Sequence, residues 1–200
     1  MKTNKAFIRL SQIPSTIMNL KDLSEESKRK IIDTSKYAMS ANNEFDAKTV
    51  VMRCAIAQMA EQYVAEWMNG HVMHGDEDTS DPWTYAFDVI SGPEYYGMRI
   101  EVKTHQSESK YITVNTGHAD PYPGKQGLNI RPFLEQPQAD LIIFFNTRMI
   151  DEGVLLEPYM MSDKDSLRSN EIIVKSKFEG YYLNQYVKTT TKNNLNIFYY

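Results

Sequence analysis

The stretch Tyr85-Ala86-Phe87-Asp88-Val89-Ile90, followed after Ser91-Gly92-Pro93-Glu94 and Gly97 by Met98-Arg99-Ile100-Glu101-Val102-Lys103-Thr104, decides the reading of this chain. Both runs are apolar and rich in β-formers. The turn residues between them predict a β-hairpin whose loop exceeds the two-residue minimum. Asp88 is set among Phe87, Val89 and Ile90, where an isolated carboxylate is costly to desolvate. Glu101 and Lys103 are two residues apart, so they leave one face of their strand while Val102 points the other way, into a core. Antiparallel pairing can bring Asp88 beside Glu101, placing two carboxylates and an ammonium on one small patch.

Cleavage of a phosphodiester calls for such a set. Hard carboxylate oxygens hold Mg²⁺, which keeps several waters and binds phosphate oxygen. The ion polarises the phosphoryl group and acidifies a bound water. A nearby lysine orients that water or stabilises the charge that develops. The Val102 backbone carbonyl offers a further hard ligand. A Glu-x-Lys pair is also common on a plain solvated strand, so spacing alone leaves both readings open.

Upstream of the hairpin, Ser24-Glu25-Glu26 starts a helix that runs to about Met39 and is broken at Asn42-Asn43. Asp46 caps a longer helix, from about Ala47 to Asn69, ended by Asn69-Gly70. On that helix Ile56, Ala60, Tyr63, Val64 and Trp67 share a face; Glu61 falls at its margin, with Glu66 on the other margin as the competing choice. A carboxylate flanked by apolar side chains favours Glu61. Residues 71–82 read as an acidic loop. Downstream, Tyr111–Asn115 reads as a third strand, 117–127 as a Pro/Gly-rich loop, and 128–134 as helical or irregular. Ala139–Asn146, with its unbroken Leu141-Ile142-Ile143-Phe144-Phe145, reads as a strand buried on both faces. Three short strands follow, at Glu171–Lys177, Tyr181–Lys188 and Leu195–Tyr200. Tyr181, Tyr182, Tyr186 and Phe198 to Tyr200 suit strand packing better than base stacking. Helices followed by a sheet with one fully buried strand predict a mixed α/β sheet packed against helices.

The 200 residues, 42% hydrophobic and 24% charged, suit one globular domain. No apolar run reaches the roughly 18 residues of a membrane span. The basic start, Met1 to Leu10, lacks the apolar region of a signal peptide, so a cytoplasmic protein is expected. The one cysteine, Cys54, excludes an internal disulfide, and no Cys/His spacing suggests zinc. The net charge of −4 is not that of a typical nucleic-acid binder, but its distribution is uneven: residues 1–60 hold ten Lys/Arg against six Asp/Glu, and residues 61–110 three against ten. A basic flank beside an acidic centre suits phosphate contacts around a metal site, and suits a solvated surface equally well.

The segment around Phe87-Asp88, with Ile100-Glu101-Val102-Lys103-Thr104 after twelve intervening residues, resembles the PD-(D/E)xK, or restriction-endonuclease-like, nuclease superfamily. The preceding Ala60-Glu61-Gln62-Tyr63-Val64-Ala65-Glu66-Trp67 resembles that family's first core helix, and Ala139-Asp140-Leu141-Ile142-Ile143 its later core strand. The residue before Asp88 is phenylalanine, not the proline of the family's name. The resemblance implies a restriction-endonuclease-like central sheet, with a catalytic core over about 47–150, an N-terminal helical segment 1–45 and a C-terminal β-rich extension 151–200. It implies Asp88 and Glu101 as metal ligands, Glu61 as an additional metal or water ligand and Lys103 as the catalytic lysine. The expected cofactor is Mg²⁺, with Mn²⁺ substituting. The expected substrate is DNA, double-stranded, cut internally by a homodimer without a nucleotide cofactor. Lys28, Arg29 and Lys30 on the first long helix, with His105, Lys125 and Arg131, are the expected DNA contacts. The four histidines are all expected in or near loops. A non-catalytic DNA-binding or structural protein, an RNA-directed hydrolase and an exonuclease are the alternatives.

Overall fold

Leu141 to Phe145 are each 0% exposed, and the surrounding elements are arranged to cover both faces of this run. The computed structural model describes residues 2–42, 45–73, 87–116, 122–123, 126–169, 171–184 and 197–200. In chain order the elements are α1 (Lys2–Leu10), β1 (Thr16–Met18), α2 (Glu25–Asn42), α3 (Ala47–Trp67), β2 (His71–Val72), β3 (Val89–Ile90), β4 (Arg99–His105), β5 (Thr113–Asn115), β6 (Leu128–Asn129), α4 (Arg131–Glu135), β7 (Leu141–Ile150), β8 (Gly153–Asp163), α5 (Lys164–Leu167), β9 (Ile173–Lys175), β10 (Tyr181–Leu183) and β11 (Ile197–Tyr199).

The main sheet has the order β1-β8-β7-β4-β3-β2, with β11 also paired to β8. Strands β4 and β7 are parallel and every other pairing in this sheet is antiparallel, so the sheet is mixed. A smaller sheet, β6-β5-β10-β9, lies within and after the crossover from β4 to β7. The pleat of β7 alternates between two cores. Leu141, Ile143 and Phe145 pack with Val50, Met59 and Val64 of α3, whereas Ile142 and Phe144 pack with Ile112, Phe133 and Leu167. Burying each such side chain is worth about 1.5–3 kcal/mol, which explains a run with no polar position.

Helix α3 begins as expected: the Asp46 carboxylate accepts from Thr49 N at 3.2 Å and from the Thr49 hydroxyl at 2.6 Å. It ends where Asn69 takes the left-handed conformation, φ 47°, and Gly70 passes the backbone of β3. A Cβ on Gly70 would lie 2.0 Å from the Ile90 carbonyl oxygen, so only glycine fits. Helix α1, within the segment expected to be helical, docks on the end of α3. The Arg9 guanidinium lies 3.7 Å from the centre of the Trp67 ring, and Trp67 Nε1 donates to Arg9 O at 2.9 Å.

The hairpin is present with its long loop, closed by Ser91 N donating to Met98 O and Met98 N donating to Ser91 Oγ. Its register pairs Val89 with Ile100 and Ile90 with Arg99. The first strand is shorter than expected, since Phe87 and Asp88 stand just before it, and residues 85 and 86 lie outside the described residues. Among the described residues the pairing of β3 with β4 ends at Val89–Ile100, while the other edge of β4 pairs with β7 as far as His105.

The strand expected at 111–115 is present as β5, Thr113–Asn115, and joins the smaller sheet. Within the C-terminal segment, β8 and β11 belong to the main sheet, and β9 and β10 join β5 and β6 in the smaller one. Strand β8 was missed because Pro158 interrupts it; the proline sits at a register shift opposite Phe145, where a bulge tolerates it. His105 is the last residue of β4 and His71 the first of the two-residue β2, each at a strand end beside a connecting segment, while His74 and His118 lie outside the described residues. Of the aromatic residues near the C-terminal end, Tyr186 lies outside the described residues and others are engaged within the fold. Tyr181 meets Tyr122 and Tyr182 meets Tyr111 edge-on, and Tyr200 donates its hydroxyl to Leu10 O at 2.6 Å. Among the described residues no helix is long and apolar enough to cross a membrane.

Candidate active site

Val102 to His105 of β4 border a cleft of about 540 Å³. Asp88 is fixed there by its own backbone, whose N–H donates to Ile100 O and whose carbonyl accepts from Met73 N. Its carboxylate accepts from Val102 N at 2.7 Å. In an extended strand the N–H and C=O of one residue face the same edge, so the Val102 carbonyl is directed to this edge too. Beside it, Lys103 Nζ donates to Glu101 Oε1 at 2.5 Å, the pair sharing one face of β4 as the spacing required.

Helix α3 delivers Glu61, which is 6% exposed, whereas Glu66 faces solvent; the choice made between them from helix geometry agrees with the packing. Glu61 Oε2 accepts from Lys30 Nζ at 2.7 Å and from the Gln58 amide. Lys30 also donates to Met73 O at 2.9 Å. It is thus not part of a solvent-facing basic patch, as its neighbours suggested. Only 15% of its side chain is exposed, because the face of α2 that carries it turns toward α3. Arg29 remains exposed, and Lys28 lies on the same outer surface, tied to Glu25 at 2.6 Å.

Lys30, Glu61, Asp88 and Lys103 thus line one cleft, with Glu101 behind Lys103 and bound to it. Burial pushes Glu61 and Glu101 up to about 7, with the charge of Asp88 adding to the rise and Lys30 and Lys103 opposing it. For Lys30 and Lys103 burial works against the charged form, but the surrounding carboxylates outweigh it and both are raised. The causes differ: burial dominates the rise of the two glutamates, and the carboxylates around them dominate the rise of the two lysines.

On the same face of β4, His105 has Nδ1 3.1 Å from Asn146 Oδ1 and Nε2 2.8 Å from Ser107 Oγ. An amide oxygen only accepts, so Nδ1 carries the proton and Nε2 accepts from Ser107. Thr113 and Leu128 of the smaller sheet line the cleft opposite β4. Arg131 is bound to Glu135 on the outer surface at 2.6 Å, and Lys125 lies outside the described residues, as do the acidic residues Asp76, Glu77 and Asp78.

Among the described residues no three His, Cys, Asp or Glu side chains stand together as a set able to hold one metal ion. The nearest donor set is Asp88, Glu101 and the Val102 carbonyl, all hard oxygens of the type Mg²⁺ takes while keeping most of its waters. Gln58 Oε1, buried on the cleft wall without a hydrogen-bond partner among the described residues, is a natural acceptor for such a water. The residues present fit a hard divalent ion. Gln58 and the position of Lys30 were not found from the sequence. Gln58 lies three residues before Glu61 on the same helix face, a signal that was readable; Lys30 depends on helix-to-helix packing and was not.

A family described as bacteriophage T4 endonuclease IV matches residues 1–185 of the chain. Endonuclease IV of Enterobacteria phage T4 is 44% identical over 183 residues, covering 91% of this chain and 98% of that protein. No solved structure matches the chain.

Proposed function

The chain belongs to the bacteriophage T4 endonuclease IV family, and we propose that it is a divalent-metal-dependent DNA endonuclease whose centre is the cleft at Asp88, Glu101 and Lys103. The observation that carries this reading is the Val102 N–H holding the Asp88 carboxylate beside β4, next to the Glu101–Lys103 pair. The order helix, hairpin and parallel strand, α3-β3-β4-β7, supports a site of PD-(D/E)xK type on a restriction-endonuclease-like core.

In this reading Asp88, Glu101 and the Val102 carbonyl hold Mg²⁺ or Mn²⁺. The chemistry such an ion supplies is a polarised phosphoryl oxygen and a ligated water of lowered pKa. Lys103, already fixed by Glu101, orients the attacking water and offsets the charge that builds on the phosphoryl oxygens. Glu61 and Gln58 position a water on the helix side of the cleft. Arg29, Lys28 and Arg131 face solvent and contact the DNA backbone, and His105 with Ser107 meets the substrate at the far end of β4.

The observed Lys103–Glu101 pair also suits a purely architectural role, in a protein that binds without cutting. Energetics argue against it. Buried ion pairs are often no more stable than apolar residues of the same size, and replacing them can gain about 1–4 kcal/mol. Five charges at one cleft are a poor way to hold a fold together.

The test is incubation of supercoiled plasmid and of single-stranded circular DNA with Mg²⁺, with and without EDTA. Asp88→Asn, Glu101→Ala and Lys103→Ala are expected to lower cleavage at least about 100-fold with circular dichroism unchanged. Cutting that survives EDTA, or survives Asp88→Asn, removes the proposal.

A further inference from the structure

Glu61 is the carboxylate whose surroundings differ from those of the other two. Both of its hydrogen bonds fall on one oxygen, Oε2, from Lys30 Nζ at 2.7 Å and from the Gln58 amide. The lysine comes from a different helix, is mostly shielded from water and is tied a second time, to Met73 O. A positive charge is thus built into the cleft, on which Asp88 and Glu101 act as well as Glu61. A lysine that gives up water for such a place is desolvated at a cost, and the other basic residues of α2 stay outside.

We propose that Lys30 stands in for a second divalent cation: its ammonium neutralises Glu61, so that the cleft takes one divalent ion, held by Asp88 and Glu101, and not two. The inference rests on the metal-dependent reading above and narrows it. Charge balance supports it. With all groups ionised, three carboxylates against two ammonium groups leave one net negative charge. One divalent ion turns this into one net positive charge, the match for a single phosphodiester, whereas a second ion would leave a surplus that one phosphate cannot offset. Geometry supports it too, since Glu61 does not join Asp88 and Glu101 in a three-carboxylate set around one point.

The experiment is a titration of metal-stripped protein with Mn²⁺ in the absence of DNA, counting free Mn²⁺ by its electron paramagnetic resonance signal. The wild type is expected to bind one ion per chain, and Glu61→Gln to bind one ion with Kd within about threefold of wild type. Asp88→Asn is expected to weaken binding at least tenfold. Lys30→Met leaves Glu61 without its ammonium and is expected to bind a second ion, or to bind the first at least tenfold more tightly. Two ions per wild-type chain overturn the inference, as does a tenfold loss of affinity in Glu61→Gln or an unchanged count and Kd in a folded Lys30→Met. If Lys30→Met does not fold, the wild-type count and Glu61→Gln still decide. Binding of one ion with DNA cleavage but with Lys30→Met unaltered removes this inference alone; no bound Mn²⁺ and no metal-dependent cleavage remove the underlying reading with it.

Discussion

Glu61 and Glu101 hold their protons up to about pH 7, against an ordinary value of 4.5, chiefly because they are buried. The folded chain therefore keeps protons that the unfolded chain releases. The stability this contributes is complete below about pH 4.5 and is lost as pH rises through about 7. In EDTA the melting temperature of the wild type is expected to fall across that window, and Glu61→Gln/Glu101→Gln to flatten the fall. Affinity for Mn²⁺ is expected to move the opposite way, rising with pH as the ion stops competing with protons. Melting curves in EDTA from pH 4.5 to 8 check the first expectation; a wild type that grows more stable as pH rises through this range contradicts it. At this scale Asp88, Glu101, Lys103 and Glu61 were legible, because strand and helix periodicities tell which side chains share a face. Lys30 was misplaced among its exposed neighbours.

Helix α3 carries Glu61 into the cleft, and its two ends are set by local chemistry: the Asp46 cap, and the Asn69-Gly70 exit against Ile90. Asp46→Ala removes one cap and is expected to cost about 1 kcal/mol. Gly70→Ala forces a Cβ into the Ile90 carbonyl and is expected to cost more, about 1–3 kcal/mol, with β3 and Asp88 displaced. Urea denaturation of both variants orders them; a Gly70→Ala protein as stable as wild type would mean that β2 and β3 do not pass so closely. Both ends of this helix were readable because they depend on residues next to each other in sequence. Strand β8 was not: Pro158 argues against a strand locally, and only its partner strand shows that a bulge absorbs it.

Strand β7 is shared by two cores, so the helices on one face of the main sheet and the smaller sheet on the other both depend on one strand. Phe145→Ala acts on the first core and Phe144→Ala on the second, and each is expected to cost about 3–5 kcal/mol. Because the strand is common to both, each variant is expected to melt in one cooperative transition. A separate early transition in Phe144→Ala by calorimetry would show that the smaller sheet unfolds by itself. The cleft itself is a product of this scale, with β4 as one side and residues of the smaller sheet facing it.

By itself the sequence determined the elements that rest on local pattern: the capped helix, the long-looped hairpin, the doubly buried strand, and the shared face of Glu101 and Lys103 on β4. Those features follow from side-chain period, desolvation cost and turn chemistry, which act between near neighbours. Only the tertiary structure decided that the hairpin's first strand stops short, that β8 lies in the main sheet, and that Lys30 crosses from α2 to Glu61. Each of these depends on which surfaces meet after the chain has closed on itself, and the energies that choose between such meetings are sums over many distant contacts that no single stretch of sequence contains.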